Sequence, residues 1–474
     1  MESLKADIAI IGAGPGGYTA AFYAADRGKR VVLIDKDLCL GGVCLREGCI
    51  PSKALLHATA LMHEVKNLSP ARGIVFGEPT VHLEKLRSWK NSIVDRLAQG
   101  LGSLSQARGI TVVNGRASFV DSHTLRVDNP SQPVSVTFDS AIIAVGSKPL
   151  LPRALDCKTP RVMSSSEALE LEEVPENLLV VGGGYIGLEL GSVYARLGSQ
   201  VVLVEALDTI LNGLDADLAG PVMRSAERIF KEIRLGTRLI GLSDRAGQIY
   251  ATFDARGKNL EESYDRILIS VGRVASCEDL GLEHTQVEKT AQGFIKVNAQ
   301  QQTTDPAIYA IGDVAGGSLL AHKASHEAHV TVASVMGDDD HSKEAVIPSV
   351  VYTDPEVAWC GLTEIQAKAK GVAVQGVRFP WSASGRALTL DRPDGLTKLI
   401  IDPVSQRVLG VGCVGVGAGE LIGQGVLAVR LGATARDLAD SVLPHPTLSE
   451  TFKECAELYY GFAAHFMSRR RLQR

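Results

Sequence analysis

The 474-residue chain lacks the features of a nucleic-acid-binding, membrane-spanning or secreted protein. Its formal net charge is −5, so it carries no basic footprint for nucleic acid. It contains no run of 18 apolar residues free of glycine and charge, and no membrane span is predicted. Its N-terminus shows no signal peptide and leads directly into an apolar strand at residues 8–11, which predicts a cytoplasmic location.

Cysteine is also sparse, with 8 residues in the chain, and no structural disulfide framework is expected. Six of them are predicted to be small buried hydrophobes, namely Cys39, Cys157, Cys277, Cys360, Cys413 and Cys455. The one basic run, Arg469–Arg471 with Arg474, is interpreted as a solvated tail. His57 and His341 are expected at the surface.

Glycine, by contrast, is abundant. The 48 glycines are about a tenth of the chain, against roughly 7% in an average protein. They show no collagen-like period and cluster in short groups between apolar stretches. Glycine in such places marks tight turns or close approach of backbone to a ligand. The composition therefore predicts a globular α/β protein with several ligand-cradling loops.

One pattern occurs twice. An apolar strand ends in a G-x-G-x-x-G loop, a helical stretch follows, and a second apolar strand ends in an acid. The loops are residues 12–17 and 182–187, and the acids are Asp35 and Glu205. Such glycines let the backbone approach a pyrophosphate at a helix N-terminus, and the acid accepts hydrogen bonds from ribose hydroxyls. Two dinucleotide sites are predicted.

The second acid also predicts the choice of pyridine nucleotide. A site for a 2′-phosphate would avoid an acid after the second strand and supply arginines nearby. Here Glu205 is followed by alanine, leucine and Asp208. A free ribose diol fits these residues better than a phosphate, so NAD is preferred over NADP.

Cys44 and Cys49 are the cysteines that need a chemical explanation. An ideal helix separates positions i and i+5 by roughly 8.6 Å, whereas a disulfide needs about 4.4–6.8 Å between Cα atoms. A bond would require a distorted turn, which Gly48 permits. Free thiols and a metal site are the alternatives, and no second Cys/His pair with zinc-finger spacing is evident. Beside a dinucleotide fold, the pair favours a two-electron redox relay.

The rest of the chain is punctuated by further strands that end in glycine, at Gly146, Gly272 and Gly312. A long amphipathic helical stretch is predicted around residues 53–105. Beyond Pro348, strand-like runs mix with two helices predicted near residues 418–430 and 449–466. This last part is predicted to be a separate α+β domain.

Segments throughout the chain resemble the pyridine nucleotide–disulfide oxidoreductases, and in particular the branch that oxidises dihydrolipoyl groups. The resemblance rests on residues 41–53 (redox-disulfide signature), 309–314 (second FAD motif), 348–357 (opening of a dimerisation domain), 379–380, 386–387, 418–422 and 445–450 (catalytic histidine segment). It departs from the family's usual pattern at Asp35 (usually Glu), Val145 (usually Thr), Ser384-Gly385 and Leu443-Pro444.

The resemblance implies an α/β fold with two Rossmann-like dinucleotide-binding domains and a C-terminal α+β dimerisation domain. The expected boundaries are 1–148 (FAD), 149–275 (NAD), 276–347 (a central segment completing the FAD site) and 348–474 (dimerisation). The implied reaction is FAD-dependent oxidation of protein-bound dihydrolipoyl groups with reduction of NAD⁺ to NADH. The implied partners are a second copy of the chain and the lipoyl domain of a 2-oxoacid dehydrogenase or glycine-cleavage complex, or a free lipoate carrier. No metal is implied.

The resemblance also assigns residues. FAD would lie on Gly12, Gly14, Gly17, Asp35, Lys53, Gly115, Gly146, Asp313, Leu320, Ala321 and His322. NAD would lie on Gly182, Gly184, Gly187, Glu205 and Gly272. The catalytic residues would be Cys44 (exchange with the substrate dithiol), Cys49 (thiolate facing the flavin), Lys53 paired with Glu189 near the flavin N5, and the base His445 from the partner subunit, oriented by Glu450.

The chemistry needs residues of these types. The attacking species is a thiolate, so a base must take the substrate's first proton, and histidine with an ordinary pKa near 6.5 suits that step. A buried lysine beside the flavin needs a counter-charge. Residues 447–450 also read as a capping box that starts a helix, a role that can coexist with catalysis for Glu450.

Two other functions are compatible with the same motifs. A reductase of glutathione or mercuric ion would share the fold, but arginines after Glu205 and an extra cysteine pair in the tail are absent. A flavoprotein with a mainly structural docking role would have a degraded site, yet the five residues Cys44, Cys49, Lys53, His445 and Glu450 are all present.

Overall fold

The computed structural model describes residues 2–129, 131–155, 157–245, 247–338 and 345–467, so the basic run at the C-terminus and His341 lie outside the described residues. The strands are β1 (Glu2–Ile11), β2 (Val31–Asp35), β3 (Thr111–Asn114), β4 (Arg116–Asp121), β5 (Thr124–Asp128), β6 (Val134–Ile143), β7 (Ser147–Pro149), β8 (Val162–Met163), β9 (Asn177–Val181), β10 (Gln200–Val204), β11 (Glu232–Arg234), β12 (Thr237–Arg245), β13 (Gln248–Ala255), β14 (Lys258–Tyr264), β15 (Arg266–Ile269), β16 (Arg273–Ala275), β17 (Ile308–Ala310), β18 (Ser349–Val351), β19 (Glu356–Gly361), β20 (Gln375–Pro380), β21 (Leu396–Ile401) and β22 (Val408–Gly415). The α-helices are α1 (Pro15–Asp26), α2 (Gly42–Glu47), α3 (Cys49–His63), α4 (Leu83–Ala107), α5 (Ser165–Glu170), α6 (Tyr185–Leu197), α7 (Ala216–Ile229), α8 (Ala321–Val335), α9 (Glu364–Lys370), α10 (Gly385–Thr389), α11 (Ala418–Leu431), α12 (Ala435–Ala439) and α13 (Glu450–Tyr460).

The first glycine loop lies at the end of β1 in a seven-stranded sheet. The strand order is β3-β2-β1-β6-β5-β4, and β17 pairs with β6. Strand β1 is parallel to both β2 and β6. Helix α1 begins within the loop segment, at Pro15, where proline's fixed φ and missing N–H cost nothing. The helix N-terminus therefore faces the carboxyl edge of the sheet, where nucleotides bind in such folds.

The second glycine loop repeats this arrangement in another sheet. The five strands β11-β10-β9-β15-β8 are all parallel, and α6 follows β9 through the loop. A three-stranded antiparallel sheet, β12-β13-β14, belongs to the same unit, and β7 pairs with β16 between the two units. The α/β class and the two repeated units are confirmed.

The chain after residue 348 forms an antiparallel sheet in the order β18-β19-β22-β21-β20, covered by α11 and α13. Its α+β character is confirmed. The last helix is shorter than the predicted 449–466 and ends at Tyr460, because Gly461 adopts a left-handed φ of 80°. Helix α11 (Ala418–Leu431) matches the helix predicted near residues 418–430.

The single helical stretch predicted around residues 53–105 is wrong in its middle. Helix α3 ends at His63, a short irregular helical segment runs to Arg72, and no regular element is present in residues 74–82. Pro70, Gly73 and Pro79 explain the interruption, since proline removes a helical N–H and glycine ends a turn with positive φ.

Candidate active site

Three glycines of the first loop are required for different structural reasons. Gly12 has a φ of 100°, and a Cβ there would lie 2.4 Å from the carbonyl oxygen of Ala144. At Gly17 a Cβ would lie 1.7 Å from the Gly12 carbonyl oxygen, so only glycine lets α1 pack this closely. At Gly14 a Cβ would meet nothing within 4 Å. The loop is closed against its own backbone on one side and open for a ligand on the other.

The second loop shows the same division. Gly182 has a φ of 108°, a Cβ at Gly187 would lie 2.1 Å from the Gly182 carbonyl oxygen, and Gly184 faces open space. Gly272, at the end of β15, has a φ of 139°. Both loops therefore have the open face and the helix N-terminus that a pyrophosphate requires.

The two acids are held in matching positions beside their loops. Asp35 accepts hydrogen bonds from the N–H groups of Ala13 and Asp37. Glu205 accepts from Gly183 at 2.7 Å and from Leu207 at 2.8 Å. Each carboxylate therefore stands next to its glycine loop, where an adenosine ribose would lie. Burial raises the pKa of Asp35 in spite of the two N–H donors.

A cavity of about 610 Å³ begins at Asp35 and extends to Lys53. Of the residues predicted to bind FAD or to react, it is lined by Gly12, Gly14, Asp35, Cys44, Cys49, Lys53, Gly115, Gly146, Glu189, Asp313 and Ala321. Its other walls include Tyr185 and Ile186 of the second unit, so both units meet there. The glycine cradle at one end and the thiols at the other fit an elongated dinucleotide with a reactive ring.

Three residues predicted at the flavin do not line this cavity. Gly17 packs α1 against the loop instead. In the stretch before α8, Leu319 and Ala321 line the cavity but Leu320 does not. The exposed His322 bonds through Nε2 to the carbonyl oxygen of Pro348 at 2.7 Å. The five residues predicted for NAD also lie outside the cavity, around the second loop.

Cys44 and Cys49 lie on two helices separated by Gly48. Cys44 is in α2, and Cys49 is the first residue of α3. Gly48, with φ −147° and ψ −110°, breaks the helix between them, as the disulfide argument required. Both are thiols in the structure, and Cys44 donates a hydrogen bond to Cys49.

Cys49 is the acidic member of the pair. The hydrogen bond from Cys44 and the charge of Lys53 outweigh burial and lower the pKa of Cys49 to about 7. The same hydrogen bond, together with burial, raises the pKa of Cys44. The N-terminus of α3 adds partial positive charge at Cys49. The geometry therefore favours a thiolate at Cys49 and a thiol at Cys44.

We expect this difference to appear in alkylation. In dithiothreitol-reduced protein, the rate of iodoacetamide labelling at Cys49 should be half-maximal near pH 7, because only the thiolate reacts. Cys44 should label only at higher pH. Peptide mass spectrometry after short pulses at pH 5–10 distinguishes the two cysteines. Equal labelling of both at pH 7 would contradict the assignment.

Lys53 is paired with Glu189 across the two units. Its Nζ donates to Glu189 Oε2 at 2.8 Å, and the Glu189 side chain is 4% exposed. The other carboxylate oxygen accepts from the Tyr352 N–H at 2.9 Å. Lys53 also lies 4.5 Å above the Tyr352 ring. The buried carboxylate thus has both oxygens bonded and a counter-charge, which makes its burial tolerable.

A network absent from the sequence predictions lies at Asp313. Ser147 donates to Asp313 Oδ2 at 2.5 Å, and Arg273 donates from Nε to the Ser147 hydroxyl at 2.7 Å. Both Ser147 and Arg273 line the cavity. Ser147 and Arg273 directly follow Gly146 and Gly272. A polar residue immediately after a glycine that ends a strand is therefore the sequence feature that could have predicted this network.

His445 and Glu450 form the predicted pair but stand outside the cavity. His445 Nδ1 lies 3.0 Å from Glu450 Oε1, and the histidine side chain is 73% exposed. The N–H of Thr447 donates to Glu450 Oε2 at 2.7 Å. These two hydrogen bonds outweigh burial and hold the pKa of Glu450 below its usual range. The His445–Glu450 pair therefore lies outside the cavity that the two thiols line.

Only one of the two hydrogen bonds of the predicted capping box is present. Glu450 accepts from the Thr447 N–H, but the Thr447 hydroxyl donates to the Pro444 carbonyl oxygen at 2.8 Å instead of accepting from the helix. Helix α13 consequently begins at Glu450, three residues after Thr447. The carboxylate thus fixes both the turn and the imidazole.

An arginine near the second acid was also not predicted. Arg256, in the β13–β14 turn, lies 3.1 Å from Asp208 Oδ1. Because Arg256 is 48 residues beyond Asp208, no local sequence pattern connects it to this acidic segment. Its charge is paired with Asp208, and Glu205 stays as the group facing the loop.

Among the described residues, no group of three or more His, Cys, Asp and Glu side chains could hold a metal ion. Nor does the described part of the chain contain a helix with the length and apolar character needed to cross a membrane.

Comparison with known families gives two matches. The family described as pyridine nucleotide-disulphide oxidoreductase matches residues 6–328. Its dimerisation domain matches residues 347–456.

Curated relatives match nearly the whole chain. "Dihydrolipoyl dehydrogenase" of Haemophilus influenzae is 42% identical over 97% of this chain and 96% of its own. Proteins of the same name from Vibrio parahaemolyticus (41%, covering 97% of both chains) and Bacillus subtilis (40%, covering 98% of both) are similar.

Solved structures show the same fold. HOCl-induced flavoprotein disulfide reductase RclA from Escherichia coli, in its Cu(II) complex, has a TM-score of 0.85 at 27% identity, covering 96% of this chain and 99% of that chain. LpdA from Mycobacterium tuberculosis has a TM-score of 0.88 at 24% identity over 96% and 99%.

Proposed function

The chain belongs to the pyridine nucleotide-disulphide oxidoreductase family and is an FAD- and NAD-dependent oxidoreductase; from that premise we propose that it oxidises protein-bound dihydrolipoyl groups with NAD⁺. The observation that carries the proposal is the meeting of both nucleotide units at one cavity, where Cys44, Cys49 and the Lys53–Glu189 pair stand together. The curated relatives at about 40% identity bear the corresponding name.

In the proposed reaction, two electrons pass from the dihydrolipoyl dithiol to the two cysteines and from them to NAD⁺. A dihydrolipoyl dithiol loses two S–H bonds and gains one S–S bond. Its two electrons reduce the Cys44–Cys49 disulfide to two thiols, and re-oxidation of those thiols delivers a hydride to NAD⁺ and a proton to solvent. FAD, when bound, supplies two-electron transfer between the thiols and the nicotinamide.

Each residue has a place in this sequence. A substrate thiolate attacks Cys44, and Cys49 leaves as a thiolate, which its lowered pKa favours. Lys53, held by Glu189, would stabilise negative charge on a reduced flavin. FAD would be held by Gly12, Gly14 and Asp35, and NAD by the second loop and Glu205.

We assign the base to His445 of a second copy. The dimerisation-domain match supports a homodimer. The exposure of His445 and its absence from the cavity walls fit a base that completes the site of the other chain. The proposed boundaries at residues 148, 275 and 347 keep this dimerisation part separate from the nucleotide units.

The partner that we propose is a lipoyl domain of a 2-oxoacid dehydrogenase or glycine-cleavage complex, or a free lipoate carrier. The name of the curated relatives, dihydrolipoyl dehydrogenase, supports a dihydrolipoyl group as the substrate that such a partner carries. We propose a cytoplasmic location as well, since the chain has few cysteines and only the Cys44–Cys49 pair is given a disulfide role.

The proposal is tested with purified protein, dihydrolipoamide and NAD⁺, following NADH absorbance. Robust NADH formation is expected. No NADH above a no-enzyme control would refute the proposal, and activity only with NADPH and another disulfide would instead support a different reductase of the same family.

We expect NAD⁺ to be preferred over NADP⁺ by roughly 100-fold in kcat/KM, because the Glu205 carboxylate repels a 2′-phosphate. Glu205→Ala should shrink this preference, both by removing the repulsion of the 2′-phosphate and by weakening NAD⁺ binding. Glu227→Gln, which removes an exposed charge on α7, serves as the matched control. Equal use of both nucleotides by the unaltered protein would contradict the assignment.

A further inference from the structure

Tyr352 reaches the redox centre from the C-terminal domain. It follows β18 directly and contacts the Lys53–Glu189 pair in two ways. Its N–H donates to Glu189 Oε1 at 2.9 Å, and its ring lies 4.5 Å from Lys53 Nζ.

The contacts leave Lys53 little freedom. Helix α3 carries Cys49 and Lys53 four residues apart, so both side chains lie on one face. Glu189 holds the ammonium from one side, and the ring lies against it from another. An ammonium over an aromatic face is attracted by the ring quadrupole, most strongly where water is partly excluded. The Lys53 side chain is 31% exposed. Without the ring beside it, the side chain would become more exposed to solvent and would populate more rotamers.

The charges around Tyr352 are mainly negative. Burial, and then the carboxylates of Glu356, Glu189 and Glu420, raise the pKa of the Tyr352 hydroxyl. The phenol is therefore neutral near pH 7, and the ring acts on Lys53 through its face and not as a phenolate. A phenylalanine would supply the same face.

We propose that Tyr352 is a positioning residue whose ring and N–H fix the Lys53–Glu189 pair beside Cys49, so that docking of the C-terminal domain keeps Cys49 in its reactive form. The inference deepens the proposed function, on which it rests for its catalytic meaning. It links the segment that begins the dimerisation part of the chain to Cys49 in the cavity.

A purely structural reading makes a different prediction. Tyr352 is half-buried against the apolar cluster that includes Val351 and Val357. If it only packed there, any side chain of similar volume would serve, and the acidity of Cys49 would not change. The aromatic face and the packing volume must therefore be varied separately.

The test compares Tyr352→Phe with Tyr352→Leu by pH-dependent iodoacetamide labelling of Cys49 in reduced, flavin-containing protein. Tyr352→Phe should match the unaltered chain. Tyr352→Leu should shift the pH of half-maximal labelling upward by about 0.5 unit, because Lys53 then stabilises the thiolate less. Tyr352→Met, with similar length and no ring, repeats the test if the leucine variant binds no flavin.

Unshifted labelling in a flavin-loaded leucine or methionine variant would overturn the proposal, as would an equal shift in Tyr352→Phe. The labelling needs no lipoyl substrate. A shift without dihydrolipoamide oxidation would therefore refute the proposed function but support the positioning role, and oxidation without a shift would do the opposite.

Discussion

Replacing Cys44 with serine is expected to lower NADH formation from dihydrolipoamide by about 10³-fold or more. A serine hydroxyl cannot form the disulfide that accepts the substrate's electrons, and it is a far weaker nucleophile than a thiolate. Steady-state assays at saturating NAD⁺ measure the effect. Flavin content should be unchanged, since no predicted nucleotide contact is removed.

The matched control for this substitution is Cys39→Ser. Cys39 lies shortly before Cys44 in the sequence; contrary to the prediction that it is buried, it is exposed, and it does not line the cavity. It should retain full activity. Activity of Cys44→Ser within tenfold of the unaltered protein, or an equal loss in Cys39→Ser, would contradict the role given to the pair.

Replacing His445 with glutamine is expected to lower dithiol oxidation by about 10²- to 10⁴-fold, which is the range for loss of a general base. The amide can still bond to Glu450, so the turn before α13 should survive. Flavin binding should also survive, because His445 does not line the cavity. His284→Gln, another exposed histidine, is the control.

Mixed dimers test where the base acts. A dimer of one Cys44→Ser chain and one His445→Gln chain has one intact site only if the histidine serves the cysteines of the other chain. Activity well above both parent dimers is expected. Activity no higher than that of the parents would place His445 on its own chain or outside the reaction.

Local sequence was sufficient for the features that depend on a few consecutive residues. The glycine loops, their acids and the break at Gly48 all follow from backbone restrictions that a sequence states directly. The pairing of Lys53 with Glu189 came from a family resemblance, because 136 residues separate them. Physical reasoning from the sequence alone gives no reason to connect them.

What was missed depends on tertiary placement. Arg273 meets Asp313 through Ser147 only because β7 and β16 pair between the units. Tyr352 meets Lys53 only because β18 is placed against α3 and α6 by the packing of the C-terminal domain. The helix break after α3 is a different case. Pro70 and Gly73 in the sequence indicate it, but the prediction of one helix followed the amphipathic pattern alone.

The central claim is that electrons pass from a dihydrolipoyl dithiol through Cys44 and Cys49 to NAD⁺. It is tested most directly by anaerobic thiol trapping with peptide mass spectrometry on the oxidised protein. After dihydrolipoamide, two new thiols per chain should appear, at Cys44 and Cys49, and NAD⁺ should then remove both while NADH forms. New thiols elsewhere, or none at this pair, would contradict the account.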